Sequence, residues 1–476
     1  LKNSIKYRTG GSDLTDKPTI TDSLINLVKR AMHFREYRIF YRLWVPTAVL
    51  IGISCGLLMV AFEALLNLTT TFFSAFPQFI TPLFGGLVSS LFIYKGYTEI
   101  QGSGVSKAIE AIHNPEELHA RTGLTKLVAT VCSIGSGCPV GREGPAILMG
   151  GAMGVTLSKH FKQTTQARRR VFLMMGAAAC TSAIYKAPLG GALFATEVPF
   201  KRDALQIYYI PMIISSIVSY FVFILFYGTQ KIFAFEAEMI IEVDLLPKIV
   251  LFAFLAGGLG VLFSMVFMVL RKYFRTHIPD QYDPLIGISI ASLMIFLTVL
   301  IAPAELTIAG LGFSSINYIA TNSYPIIILL ILMITKLIAS GSSVAGSVSG
   351  GVMAPALFVG ACFGAIFGQF MAPEYIDAFV VLGMGSVLAA TTKTPVASTI
   401  LILELTSTLT MAIPLAISIA IAYLVSGGST LYESQRLSRE EAEFEIGNIN
   451  AKETVNKNYN KINIKKEENE RSKDLN

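Results

Sequence analysis

Apolar stretches recur along this chain around residues 45 to 66, 79 to 95, 126 to 140, 208 to 227, 247 to 270, 285 to 303, 325 to 340, 355 to 372 and 411 to 427. Several reach the roughly 20 residues that a helix needs to cross a bilayer, and others stop short. Only helices and closed barrels satisfy every backbone polar group in lipid, and the period-two alternation of a barrel is absent. Short segments broken by Gly and Pro, set among full-length ones, predict tilted and broken helices of the kind transporters use. Composition excludes a soluble domain: 53% of residues are hydrophobic and 15% charged, where soluble proteins carry roughly 25% charge. Mean hydropathy is +0.59. The expected fold class is an all-α integral membrane protein.

Charge placement predicts the orientation. Residues 1 to 44 carry Lys29, Arg30, Arg35, Arg38 and Arg42, interleaved with aromatics ahead of Trp44. That pattern suits an amphipathic helix at the membrane interface, and equally a solvated basic face. Further basic clusters fall at Lys159, Lys162 and Arg168 to Arg170, at Lys201 and Arg202, and at Arg271, Lys272 and Arg275. The positive-inside rule makes these and both termini cytoplasmic, in a multi-pass protein of the cell (inner) membrane. The net charge of +6 then calls for no nucleic-acid partner. Residues 1 to 20 are polar, so no cleavable signal peptide is expected, and the absent initiator methionine reads as trimming. The chain divides into a cytoplasmic N-terminal segment 1–44, a membrane domain 45–433 and a polar cytoplasmic tail 434–476, expected to be disordered. Cys55, Cys132, Cys138, Cys180 and Cys362 lie in apolar segments without ligand spacing and read as small core residues. No metal or cofactor is expected.

An internal repeat organises the membrane domain. Lys186, Ala187, Pro188 is followed through an apolar run by Glu197, and Lys393, Thr394, Pro395 at the same interval by Glu404. Met175 with Gly176 precedes the first copy and Met384 with Gly385 the second. Upstream of each, a Gly-rich string ends in Pro145 or Pro355. The offset is 207 residues at the lysines and 210 at these prolines. Two related halves, about 45–235 and 247–432, follow, expected to run in opposite directions with a substrate site between them.

Three Gly-rich strings suggest what that site binds: Gln101 to Gly104, Gly141 to Pro145, and Gly346 to Pro355, each ahead of a helix-like stretch. Glycine permits close backbone approach, and proline suits the first helical turn. Helix N-termini aimed at one point would offer unpaired N–H groups and partial positive charge to an anion. The alternative is that these glycines only let helices pack closely. Within the second string stands Glu143, a carboxylate between two apolar stretches, where an acidic side chain is a functional hypothesis by default. A structural ion pair with neighbouring Arg142 is its other reading.

These strings carry a resemblance. GREGP at 141–145, GSG with Ser103, GGVMAP at 350–355 and the late Tyr432 are similar to the four signature segments of the CLC family of chloride channels and chloride/proton antiporters. The match extends through the APLGGALFATE and ELT segments. The resemblance implies a homodimer with one anion pathway per subunit and two inverted halves of tilted helices. It implies that the hydroxyls of Ser103 and Tyr432 and the N–H groups of Val352 and Met353 hold a central anion. The N–H groups around Arg142 to Gly144 would form an outer site, with Glu143 the gate whose carboxylate competes with chloride. Ser103 favours chloride over nitrate and fluoride by the same resemblance. A charge moving in the membrane field would also make gating voltage-sensitive.

Departures from the family pattern bear on proton coupling. Antiporters of the family usually carry a second glutamate directly after the position of Glu197, and Val198 stands there. Glu197 is adjacent but points about 100° away on a helix; it reads as a possible proton-path residue or as a structural acid beside Lys201 and Arg202. Ser106 replaces a usual proline, and Met353 a commoner phenylalanine. The tail is too short for the cytoplasmic nucleotide-binding pair of larger relatives. An intramembrane enzyme is disfavoured: His33, His113, His119, His160 and His277 lie near polar segments, and no pair has ligand spacing. GREGP also lacks the lysine ending of a phosphate loop. The expected function is selective chloride transport through a Glu143-gated pathway, as a channel or a proton-coupled antiporter, with a fluoride- or nitrate-selective antiporter as the alternative.

Overall fold

The computed structural model describes residues 20–113, 118–161, 165–205, 208–233, 235, 237–239 and 243–438, with backbone alone for 20–41, 43 and 113. The expected disorder of residues 439–476 and the side chains of Lys29, Arg30, Arg35 and Arg38 lie outside the described residues. Two compact units are distinguished, Leu1–Thr47 and Ala48–Asn476. In the first, backbone from Ile20 onward is helical. All that follows concerns the second.

Helices dominate the described residues, with isolated bridges and no strand. The first set comprises α1 (Ile20–Phe73), α2 (Pro82–Tyr94), α3 (Val105–His113), α4 (Ala120–Gly135), α5 (Glu143–His160), α6 (Gln166–Tyr185), α7 (Pro188–Glu197) and α8 (Tyr209–Tyr227). The second comprises α9 (Leu245–His277), α10 (Asp283–Ile301), α11 (Phe313–Thr321), α12 (Ile326–Ala345), α13 (Met353–Met371), α14 (Ile376–Thr392), α15 (Pro395–Thr406) and α16 (Ala412–Val425). The two sets run in matching order. Among the described residues, seven helices are long and apolar enough to cross a membrane, while α2, α7 and α15 are shorter. The protein is thus a multi-pass membrane protein of uneven helices.

Matched sequence gives matched packing. Gly150 of α5 and Gly176 of α6 approach so closely that a Cβ on either would overlap the other's carbonyl oxygen; Gly360 of α13 and Gly383 of α14 do the same. Small residues of this kind replace the hydrophobic drive that lipid removes. Lys186 ends α6 in the left-handed region at φ 52°, and Lys393 ends α14 at φ 61°. Each lysine turns the chain so that a proline opens the next helix, Pro188 in α7 and Pro395 in α15. Their ammonium groups then bind the ends of α8 and α16: Lys186 Nζ donates to the Tyr227 carbonyl at 3.1 Å, and Lys393 Nζ to Ser426 Oγ at 2.6 Å.

The ordered chain extends past the expected start of the tail at 434. Gln435 is buried, and its Nε2 donates to the carbonyls of Val198 and Thr392, each at 2.8 Å. Its Oε1 accepts from Thr430 Oγ1. A polar residue that composition assigns to a solvated tail is here a satisfied buried amide.

Candidate functional site

Glycine turns bring the two halves together. Gly141 N–H donates to the Gly351 carbonyl at 2.7 Å, and Gly351 N–H returns a bond to the Gly141 carbonyl at 2.5 Å. Gly350 N–H reaches the carbonyl of Gly102 at 3.3 Å. The hydroxyls of Thr130 and Ser349 meet at 2.9 Å. A Cβ on Gly144 would overlap the Ser103 carbonyl oxygen, so glycine is demanded there by the approach of two backbones. The reciprocal bridge therefore places the starts of α5 and α13 side by side, with the turn before α3 against them.

The first N–H groups of a helix have no intrahelical acceptor. Arg142 at the start of α5 and Val352 at the start of α13 provide no side-chain cap. Unpaired donors and the positive ends of two helix dipoles are thus left for an anion. Val352 and Met353 are buried at this point, as are Arg142 and Gly144.

The occupant is the carboxylate of Glu143, whose residue is 1% exposed. Its side chain folds back so that a Cβ on Gly141 would overlap Oε2 and one on Gly351 would lie 3.0 Å from it. The N–H groups of Glu143 and Ala354 lie beside it, yet neither completes an aligned bond, and both carboxylate oxygens lack a hydrogen-bond partner among the described residues. A buried carboxylate left in this condition is costly.

Arg142 is not the partner of Glu143. Its Nη1 contacts Glu63 Oε2 of α1 at 2.7 Å, and its Nη2 donates to the Ile184 carbonyl at 3.1 Å. This disposes of the reading in which Glu143 serves only as Arg142's counter-ion. Tyr432 is buried within electrostatic reach of Glu143. Ser103 Oγ accepts the Val105 N–H at 3.3 Å, which leaves its hydroxyl proton to donate. Ser103 and Val352 line a cavity of about 300 Å³ that is also lined by Lys107, Arg271 and Arg275 and by Glu110, Asp280 and Asp283.

Two buried lysines escaped the sequence reading. Lys126 Nζ of α4 donates to the carbonyls of Ile100 and Gly102 at 2.7 and 2.5 Å. Lys336 Nζ of α12 donates to those of Ile308 and Gly310, both at 2.8 Å. The positions differ by 210, the repeat offset, and that was the available signal. Each holds the turn that leads into α3 or α11.

Glu197 stands apart from this cluster. One oxygen of its carboxylate accepts the Ala397 N–H at 2.9 Å, at the start of α15. It lines a separate cavity of about 230 Å³ with Lys201, Arg202, Lys393 and Tyr423. Its repeat mate Glu404 returns the arrangement, accepting the N–H groups of Leu189 at 3.1 Å and Gly190 at 2.7 Å at the start of α7. The two acids are reciprocal helix caps. Val198 is buried, and its carbonyl holds Gln435.

Paired inverted halves meeting at helix N-termini around a buried carboxylate define a membrane transport fold. Residues 85–427 match the voltage gated chloride channel family, and the chain belongs to it. It is 28% identical over 474 residues to the H(+)/Cl(-) exchange transporter ClcA of Salmonella paratyphi A, covering 92% of this chain and 98% of that one. The corresponding protein of Salmonella typhimurium has the same identity and coverage. Among solved structures, a slow cyanobacterial Cl-/H+ antiporter superposes with a TM-score of 0.71 at 22% identity, covering 82% of this chain and 96% of that one. A CLC-type fluoride/proton antiporter gives a TM-score of 0.71 at 20% identity, covering 83% and 98%. The fold of inverted helical repeats is shared with both.

Proposed function

We propose that this protein exchanges chloride for protons across a cell membrane, with Glu143 as the gate. The observation that carries this reading is the Gly141–Gly351 bridge, which sets two uncapped helix starts over an unpaired buried carboxylate. Chloride enters from the cavity lined by Ser103 and Val352, sheds water to the hydroxyls of Ser103 and Tyr432, and displaces the carboxylate. Neutral hydroxyls and N–H groups suit the passage of an anion, because binding is selective yet weak enough to release. Once displaced, the carboxylate turns toward the opposite side and takes up a proton there, and it gives that proton up when it returns as the anion to the site. The names of the ClcA relatives support exchange, and Ser103 supports chloride over fluoride and nitrate. The basic clusters support cytoplasmic termini, and membership of the family supports a homodimer with one pathway in each subunit.

Val198 favours a second reading, passive chloride conductance, since an apolar side chain occupies the position that relays protons in antiporters of the family. Reconstituted vesicles with chloride and proton movements recorded together separate the two. A chloride gradient that drives uphill proton movement supports exchange; rapid chloride flux without it supports conductance. Glu143→Ala is expected to keep anion flux and to lose pH gating and proton movement. Fully pH-gated, proton-coupled transport in that variant would overturn the role of Glu143.

A further inference from the structure

Tyr185 ends α6 immediately before the left-handed Lys186 and is 1% exposed. Arg142 Nη2 holds the Ile184 carbonyl at 3.1 Å, which presses this helix end against the turn carrying Glu143. The Tyr185 phenol lies beside the Glu143 carboxylate and within electrostatic reach of Tyr432. Its hydroxyl has no hydrogen-bond partner among the described residues, in common with both oxygens of Glu143. Three unpaired buried polar atoms at one place are not accounted for by packing, because such atoms are ordinarily satisfied.

The repeat sharpens the observation. The residue that precedes the left-handed lysine in the second half is Thr392, and its hydroxyl is fully used, donating to the Leu388 carbonyl at 2.8 Å and meeting Thr394 Oγ1 at 2.7 Å. Where one half has a self-satisfied hydroxyl, the other has a longer one turned toward the gate.

Resting on the anion-transport reading above, we propose that Tyr185 is a third hydroxyl of the anion pathway, donating to whichever negative charge holds the gate position: the Glu143 carboxylate when shut, the transported anion when open. The phenol is neutral and carries a single proton, so it adds attraction without a fixed charge. Because it serves both occupants, it sets the affinity of the outer position more than the competition between them.

The test is anion binding by titration calorimetry on purified, lipid-reconstituted protein in two backgrounds. With the competing carboxylate removed in Glu143→Ala, adding Tyr185→Phe is expected to weaken chloride binding about 10-fold, the worth of one hydrogen bond to a charged group. With Glu143 present, Tyr185→Phe is expected to change apparent affinity less than threefold, since carboxylate and chloride lose the same donor. Equal affinities of Glu143→Ala with and without Tyr185→Phe would overturn the proposal. So would an equal loss in both backgrounds, which is the mark of a structural role. Should Tyr185→Phe not fold, a fluorinated tyrosine at 185, a more acidic donor, is expected to bind chloride more tightly in the Glu143→Ala background, and unchanged affinity there would overturn the proposal. Absence of any anion binding by Glu143→Ala alone would instead count against the transport reading.

Discussion

Replacing Glu404 by alanine removes a carboxylate that accepts two backbone N–H groups, at 3.1 and 2.7 Å, from the first turn of α7. Hydrogen bonds to charged groups contribute about 1.5–3 kcal/mol each, and Glu404 is half-buried. The low end of that range is appropriate, about 3 kcal/mol for the pair. Glu197 offers one aligned bond, to Ala397 at 2.9 Å, from a buried position, and its alanine variant is expected to cost about 2 kcal/mol. Each acid lies near the C-terminal end of its own helix and caps the start of the other, so α7 and α15 are antiparallel and the two contacts sit at opposite ends. Ten residues of α7 span about 15 Å, beyond the roughly 10 Å within which substitutions couple. The double variant should therefore lose about 5 kcal/mol, the plain sum. Unfolding titration in mixed micelles measures all four species. A Glu404→Ala protein as stable as the parent, or a double variant that departs from additivity by more than about 1 kcal/mol, would refute the reciprocal caps. Chloride flux should survive Glu404→Ala, because the Glu404 carboxylate is engaged by the Leu189 and Gly190 N–H groups at the start of α7 and not by the turns that carry Ser103 and Glu143.

Gly141→Ala adds a Cβ that overlaps Glu143 Oε2 in the folded-back position; the carboxylate is expected to be expelled, giving flux with little pH dependence, and a parental pH profile would contradict this. Lys336→Met leaves the carbonyls of Ile308 and Gly310 without their donor, at an expected cost of roughly 2–4 kcal/mol in unfolding titrations, together with weaker chloride binding. An unchanged chloride affinity in that variant would limit Lys336 to holding its turn.

Much of this was readable from the chain. The Lys, Pro and Glu repeat predicts two halves, and the structure repeats even the left-handed φ of Lys186 and Lys393. What the repeat could not disclose is that Glu197 and Glu404 act on each other's helices, since these hydrogen bonds join residues about two hundred positions apart. The partner of Arg142 was hidden for the same reason: Glu63 sits alone in an apolar stretch, and only folding brings it to the guanidinium. Lys126 and Lys336 carried the right offset but look like misplaced surface charges until their carbonyl partners are seen. Tail composition misled at Gln435, because polarity marks solvent exposure only when no internal partner is offered. Tyr185 gave no signal at all; an aromatic at a helix end is ordinary core material until its hydroxyl is found unpaired.

The anchoring of Gln435 has a mechanical consequence. Its amide is bolted to the end of α7 through Val198 and to the end of α14 through Thr392, and it lies three residues beyond Tyr432. Tension applied further along the chain meets these bonds before it reaches the phenol. Tyr432 is thus insulated from pulls on the C-terminus and takes its position from the two halves jointly, so that a displacement of one half against the other is the motion to which its hydroxyl responds.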